Sequence, residues 1–160
     1  MELSEELSSF LEQAEDVVYE RGLEYATPEL VLFCMLDSAT INHFAINPDI
    51  NLASLEKDVL EYLEEYNPTG KRKYEEEDEI PHSVLFDEVL AKAEAFAKEE
   101  KSNEVSLYHY LFSMVTDKRL HASYMMKNNG INMEFLLAAR QFELNHPEFF
   151  DLSKMNADFA

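Results

Sequence analysis

The sequence predicts an all-α fold of two tandem four-helix repeats, packed together with pseudo-twofold symmetry. Three observations carry this prediction. The first is the stretch Thr27-Pro28-Glu29-Leu30-Val31-Leu32-Phe33-Cys34-Met35-Leu36. It opens with a hydroxyl cap, a proline at the first helical position and an acid in the first turn, then runs apolar on nearly every side. A helix without a polar face needs other helices around it, so this one reads as the spine of a bundle. Second, the design returns 79 residues later as Ser106-Leu107-Tyr108-His109-Tyr110-Leu111-Phe112-Ser113-Met114-Val115. Third, the flanking signals repeat as well. Ser83 stands 79 residues after Ser4, while Asn128, Ile131, Asn132 and Leu136 stand 81 after Asn47, Ile50, Asn51 and Leu55. The two extra residues fall in the loop around Asp117-Lys118-Arg119, where an insertion costs least. Each half is too small to bury its own apolar faces, so the two are expected to cover one another.

In chain order, Ser4 caps a first helix with Leu7, Phe10, Leu11, Ala14, Val17 and Val18 along one face and Glu12, Glu15, Asp16 and Glu20 on the other. Gly22 ends it, and the spine follows. A short third helix holds Ile41, Phe44 and Ala45 before Asn47-Pro48-Asp49 forces a turn. Asn51 caps a fourth, whose Leu52, Leu55, Val59, Leu60 and Leu63 face inward. The first repeat thus spans residues 1–66. Residues 67–82 contain Lys71-Arg72-Lys73 and an acidic run from Glu75 to Glu79, and read as an exposed, charged, flexible connector. The second repeat spans 83–142, with 1–142 forming one compact body. Residues 143–160 lie outside the repeat, with Phe149, Phe150 and Phe159 available to dock on the body or begin a tether.

Of the 160 residues, 46% are hydrophobic, enough for a core. With 33 acidic against 13 basic side chains the net charge is -20, which repels a nucleic-acid backbone or an anionic membrane and favours basic or zwitterionic protein partners. Cys34 is the single cysteine and sits in the apolar spine, so no internal disulfide or multi-cysteine metal site is expected and a reducing, cytoplasmic setting is. There is neither a leader pattern at the start nor an apolar run long enough to span a bilayer. His43, His82, His109, His121 and His146 include no His-x-x-x-His pair, which argues against structural zinc. No glycine-framed serine or cysteine–histidine pair marks a nucleophile, so no catalytic residue, metal or cofactor is assigned.

The spine and the repeat order resemble the double Clp repeat at the N-terminus of Clp AAA+ ATPases. Thr27-Pro28-Glu29-Leu30-Val31-Leu32 with Leu36 is similar to that family's Thr-x-Glu-His-Leu-Leu-Leu-x-Leu-Leu signature, and Asn103-Glu104-Val105-Ser106 to the Asn-Glu-Val-Thr that opens the second spine of ClpA-type members. The resemblance covers about residues 3–142 and implies a noncatalytic module on a hexameric AAA+ unfoldase. Such a module receives substrate proteins and adaptors, ClpS in ClpA-type members, for degradation by ClpP. The phosphate-binding Gly-x-x-x-x-Gly-Lys-Ser/Thr loop of the ATPase modules has no counterpart among Gly22, Gly70 and Gly130. A freestanding relative that binds the ring or peptidase and regulates its assembly is the alternative.

In ClpC-type members the glutamate of the spine's first turn and a threonine opening the repeat receive a phosphorylated arginine. The matching positions here are Glu29 with Ser4, and Tyr108 with Ser83, so the second pair lacks its acid. A carboxylate can pair with a guanidinium and a hydroxyl at a helix N-terminus with phosphate; equally, Glu29 can simply favour its own helix end, and Ser4 and Ser83 can be plain caps. Tyr25, Tyr108 and Tyr110 flank the spines, as an aromatic docking surface if exposed and as core if buried. His109 of the second spine joins Ser4, Tyr25, Glu29, Ser83 and Tyr108 as candidate protein-binding residues. Met114, Met125, Met126 and Met133 are expected to fill gaps in the core.

Overall fold

The computed structural model describes residues 1–147. Within them the order is β1 (Glu2–Leu3), α1 (Glu5–Arg21), α2 (Pro28–Met35), α3 (Ala39–Phe44), α4 (Leu52–Tyr66), α5 (Val84–Glu100), β2 (Glu104–Val105), α6 (Leu107–Val115), α7 (His121–Asn128) and α8 (Met133–Asn145). Most helix starts follow from local chemistry. Side chains of Ser4, Thr27, Asn51, Ser83 and Asn132 accept the backbone N–H three residues on, satisfying donors that the first helical turn leaves unpaired. Ser38 caps α3 in the same way.

The spines behave as their composition demands. Every residue of α6 is buried, as is every residue of α2 except Phe33. Met114, Met125 and Met126 lie in the core, with Met133 packed at its edge.

The repeats are braced by reciprocal backbone pairing. Leu3 pairs with Val105 in the two-residue parallel strands, and Ala26 forms a parallel bridge with His82. Shifting Leu3 and Ala26 by the repeat offset of 79 gives His82 and Val105, so each pair is the image of the other. Their hydrogen bonds match: Ser4 donates its N–H to the Val105 carbonyl at 2.8 Å, and Ser83 donates to Ala26 at 2.9 Å. The start of each repeat is therefore pinned to the spine of the other, which is the pseudo-twofold relation made explicit. A further contact lies on that axis. A Cβ on Gly130 would run into the carbonyl of Asp49, its own counterpart at offset 81, and Gly130 takes φ 93°. The two loops cross there at backbone distance, which admits only glycine.

Two expectations about boundaries change. The connector at 67–82 is not exposed throughout: Tyr74 is buried and its hydroxyl donates to the Leu23 carbonyl at 2.6 Å. Gly70 donates to Arg21, and Lys71 and Arg72 to Gly22, so the segment is laid over the end of α1. An aromatic ring amid charges is invisible to a composition argument, yet it has apolar area to bury. The boundary at 142 also moves, because α8 continues through Asn145. Phe149, Phe150 and Phe159 lie outside the described residues.

Candidate functional site

The structure re-sorts the candidate residues. Ser4 and Glu29, expected together within one repeat, are not joined. Ser4 instead shares a cleft with Tyr108, because the start of α1 is pinned to the start of α6. Ser83 is correspondingly held against Ala26, at the start of the first spine. Cross-repeat pairing explains both placements.

Glu29 is 4% exposed, and its Oε2 accepts the N–H of Ala122 at 3.0 Å. It therefore caps α7 across the repeat boundary. Burial raises its pKa, and the Ala122 hydrogen bond opposes that rise. His109 is fully buried. Its Nδ1 accepts the Ser106 N–H at 2.8 Å, which leaves Nε2–H to donate to Glu100 at 3.1 Å. Burial lowers its pKa and keeps the ring neutral. Glu100 also receives Arg140 at 2.8 and 3.3 Å, and the Arg140 hydrogen bond holds its carboxyl below the ordinary range. Tyr110 is buried and its hydroxyl has no hydrogen-bond partner among the described residues. Of the aromatic candidates, only Tyr25 reaches the surface, beside Tyr62 and Tyr66.

The acid missing at Tyr108 is supplied from elsewhere. Glu143 of α8 faces the Tyr108 hydroxyl, and burial raises both pKa values. Carried back by 81 residues Glu143 becomes Tyr62, and Tyr108 carried back by 79 becomes Glu29. In the first repeat the spine gives the acid and the closing helix the tyrosine; in the second the roles are exchanged. Tyr62 correspondingly has its pKa pushed up to about 12, by burial first and then by the Glu29 charge. Sequence reasoning stopped the second repeat at 142 and so missed Glu143. The offset of 81 is the signal that finds it.

Around Tyr108 the surface opens. A cleft of about 530 Å³ lies among Ser4, Glu5 and Glu6 at the start of α1, Thr40 and His43 of α3, and Arg140 and Glu143 of α8. Thr40 donates its hydroxyl to Glu6 at 3.2 Å, while burial raises the Glu6 pKa. Arg140 lies over the Tyr108 ring at 5.5 Å and is committed to Glu100. Adjoining the cleft, and sharing His43 and Tyr108 with it, is a groove of about 640 Å³. Its walls are Phe44, Ile46 and Pro48 on one side and Phe135, Ala138, Ala139 and Phe142 of α8 on the other. An acidic cleft running into an apolar groove can bind a protein segment. Among the described residues no group of three His, Cys, Asp or Glu is arranged to hold a metal ion, and no helix is long and apolar enough to cross a membrane.

Comparison with solved structures finds the same architecture in three settings. The chain superposes on a protein from a malarial secretion system with a TM-score of 0.74 and 21% identity, covering 89% of this chain and 96% of that one. The Hsp104 N-terminal domain from Candida albicans gives 0.72 and 16%, covering 87% and 89%. The N-domain of ClpV from Vibrio cholerae gives 0.67 and 19%, covering 89% and 84%. A search of curated sequences found no match. Residues 2–129 match the family described as Clp repeat (R) N-terminal domain. With the duplicated bundle, the reciprocal bracing and that match in agreement, the chain belongs to the Clp repeat N-terminal domain family.

Proposed function

We propose that this chain is a noncatalytic docking module, which receives substrate proteins and a ClpS-like adaptor for the AAA+ ring of a Clp unfoldase and, through it, for ClpP. The observation that carries this reading is the continuous cleft and groove along α3 and α8, set on a scaffold in which Glu29 and His109 are occupied in holding helices together. The acidic rim speeds encounter with a basic partner face, and the apolar groove slows its release. The ClpA-type assignment rests on Asn103-Glu104-Val105-Ser106. A cytoplasmic setting is supported by the single, buried Cys34.

Titration of a ClpS-like adaptor and of an unfolded substrate protein at low and high ionic strength tests the proposal. Binding is expected to weaken as salt rises. Failure of both ligands to bind at any salt concentration would refute the docking role, and binding indifferent to salt would refute the contribution of the acidic rim.

A further inference from the structure

The two repeats, although superposable in design, differ sharply along one stripe. In α8 the groove wall is Phe135, Ala138, Ala139 and Phe142. Carried back by 81 residues, the same positions in α4 are Ser54, Lys57, Asp58 and Glu61. There Lys57 and Glu61 form a surface ion pair at 4.0 Å and Asp58 accepts the Asn129 side-chain amide at 2.9 Å. The opposite wall changes in the same sense, since Ile46, 73% exposed, corresponds to Lys127. The fold thus accepts charge at these positions in one half. In the other half Phe135 and Ala139 pack partly against the core, Phe135 edge-on to Phe44 at 5.0 Å, while Ala138 and Phe142 stay exposed, and apolar area left in water on a monomer marks a contact surface.

The cleft next to it has a definite charge. Glu5, Glu6, Glu104 and Glu143 line it, and its arginine, Arg140, is already paired with Glu100. Glu143 adds a specific feature: the Tyr108 hydroxyl faces its carboxyl, yet one oxygen, Oε2, is buried and has no hydrogen-bond partner among the described residues. Because cleft and groove share His43 and Tyr108, one short segment can reach both.

We infer that this face takes a single partner segment per chain, which lays apolar side chains in the α3/α8 groove and seats a lysine or arginine in the acidic cleft against Glu143 and Glu6. The inference rests on the docking role proposed above and names the chemistry of its ligand. The equivalent face between α4 and α7 does not bind the same segment, because its stripe is charged. Binding is therefore one to one despite the duplication.

The test uses three fluorescein-labelled peptides with glycine–serine flanks. The first carries a Leu-Phe pair with Lys three residues further on; the second replaces Lys by norleucine; the third replaces Leu-Phe by Ser-Ser. Wild-type protein is expected to bind the first at least tenfold more tightly than either of the others, with a stoichiometry of one by calorimetry. A variant carrying the α4 residues on α8 (Ala138→Lys, Ala139→Asp, Phe142→Glu) is expected to lose at least tenfold in affinity for the first peptide while keeping its helical circular dichroism. Glu6→Gln with Glu143→Gln is expected to abolish the preference for Lys over norleucine but retain the preference for Leu-Phe. Should the triple variant misfold, the peptide series on wild type decides alone. Equal binding of all three peptides, no binding of any, or two equivalent sites would overturn the inference. If an adaptor or unfolded protein still binds in that case, the docking role stands and only the ligand chemistry falls.

Discussion

The carboxylate of Glu29, on the first spine, accepts the backbone N–H of Ala122 on α7 at 3.0 Å, so a side chain of one repeat caps a helix of the other. Burial works against its charge, and the hydrogen bond works for it. Glu29→Ala leaves that N–H buried without an acceptor and is expected to cost about 1–3 kcal/mol in urea unfolding. Glu29→Gln keeps an acceptor oxygen and removes the charge, so it is expected to stay within about 1 kcal/mol of wild type. Equal losses in both would show that the hydrogen bond contributes nothing.

Gly22 and Lys101 occupy the same place in the two repeats, and both take left-handed backbone, φ 66° and 62°. Lys101→Gly relieves a Cβ clash intrinsic to that conformation and is expected to raise stability by roughly 0.5–1 kcal/mol. Gly22→Ala is expected to lower it by more, because the new Cβ meets the Arg72 carbonyl as well as the strained backbone. Thermal melts of both variants check the opposite signs.

His82 sits between the repeats, with Nε2 at 2.9 Å from Glu15 of α1 and Nδ1 at 3.1 Å from Asp87 of α5. Burial opposes its charge, but the two carboxylates outweigh burial and raise its pKa. A base with a raised folded pKa gives stability that is fully present below the unfolded value, near 6.5, and is lost as pH climbs through the folded value. The melting temperature of wild type relative to His82→Ala is therefore expected to fall as pH rises from 6 to 8. An NMR titration placing the His82 midpoint at or below the ordinary histidine value would contradict this.

His109 carries the opposite sign. Burial lowers its pKa, so its contribution is complete above the ordinary histidine value and declines as pH falls below it, when the unfolded chain takes up a proton that the folded one refuses. Its ring resonances are expected to stay those of the Nε2–H tautomer to a lower pH than those of a free histidine. A titration midpoint at or above the ordinary histidine value would break the assignment.

Tyr110 is fully buried and its hydroxyl has no hydrogen-bond partner among the described residues, so desolvation penalises it without return. Tyr110→Phe is expected to be neutral or to stabilise by about 1 kcal/mol in chemical denaturation. A loss of more than about 1 kcal/mol would show that the hydroxyl has a partner.

Much of the fold was legible because helices announce themselves locally. Ser4, Thr27, Asn51 and Ser83 each cap the helix their spacing implied, and the all-round apolar spines are buried. The cross-bracing was not legible, because strands of two residues carry no periodicity and the partner of Leu3 lies in the other repeat. That omission is what mispaired Ser4 with Glu29. Tyr74 was hidden by the charges around it, and Glu143 by a boundary drawn a few residues early. The groove along α8 escaped notice for a different reason. Phe135, Ala138, Ala139 and Phe142 look like an ordinary inward stripe until their image in α4 shows Ser54, Lys57, Asp58 and Glu61 in the same places.

The pairing of Leu3 with Val105 also bears on how the chain is made. A ribosome releases the first repeat long before the strand that secures its beginning has been translated, and the bridge from Ala26 to His82 likewise waits for the connector. The early half emerges with its spine flanked by α1 and α4 but bare where α5 and α7 will later lie, so the two repeats finish one another only once the whole chain has been made.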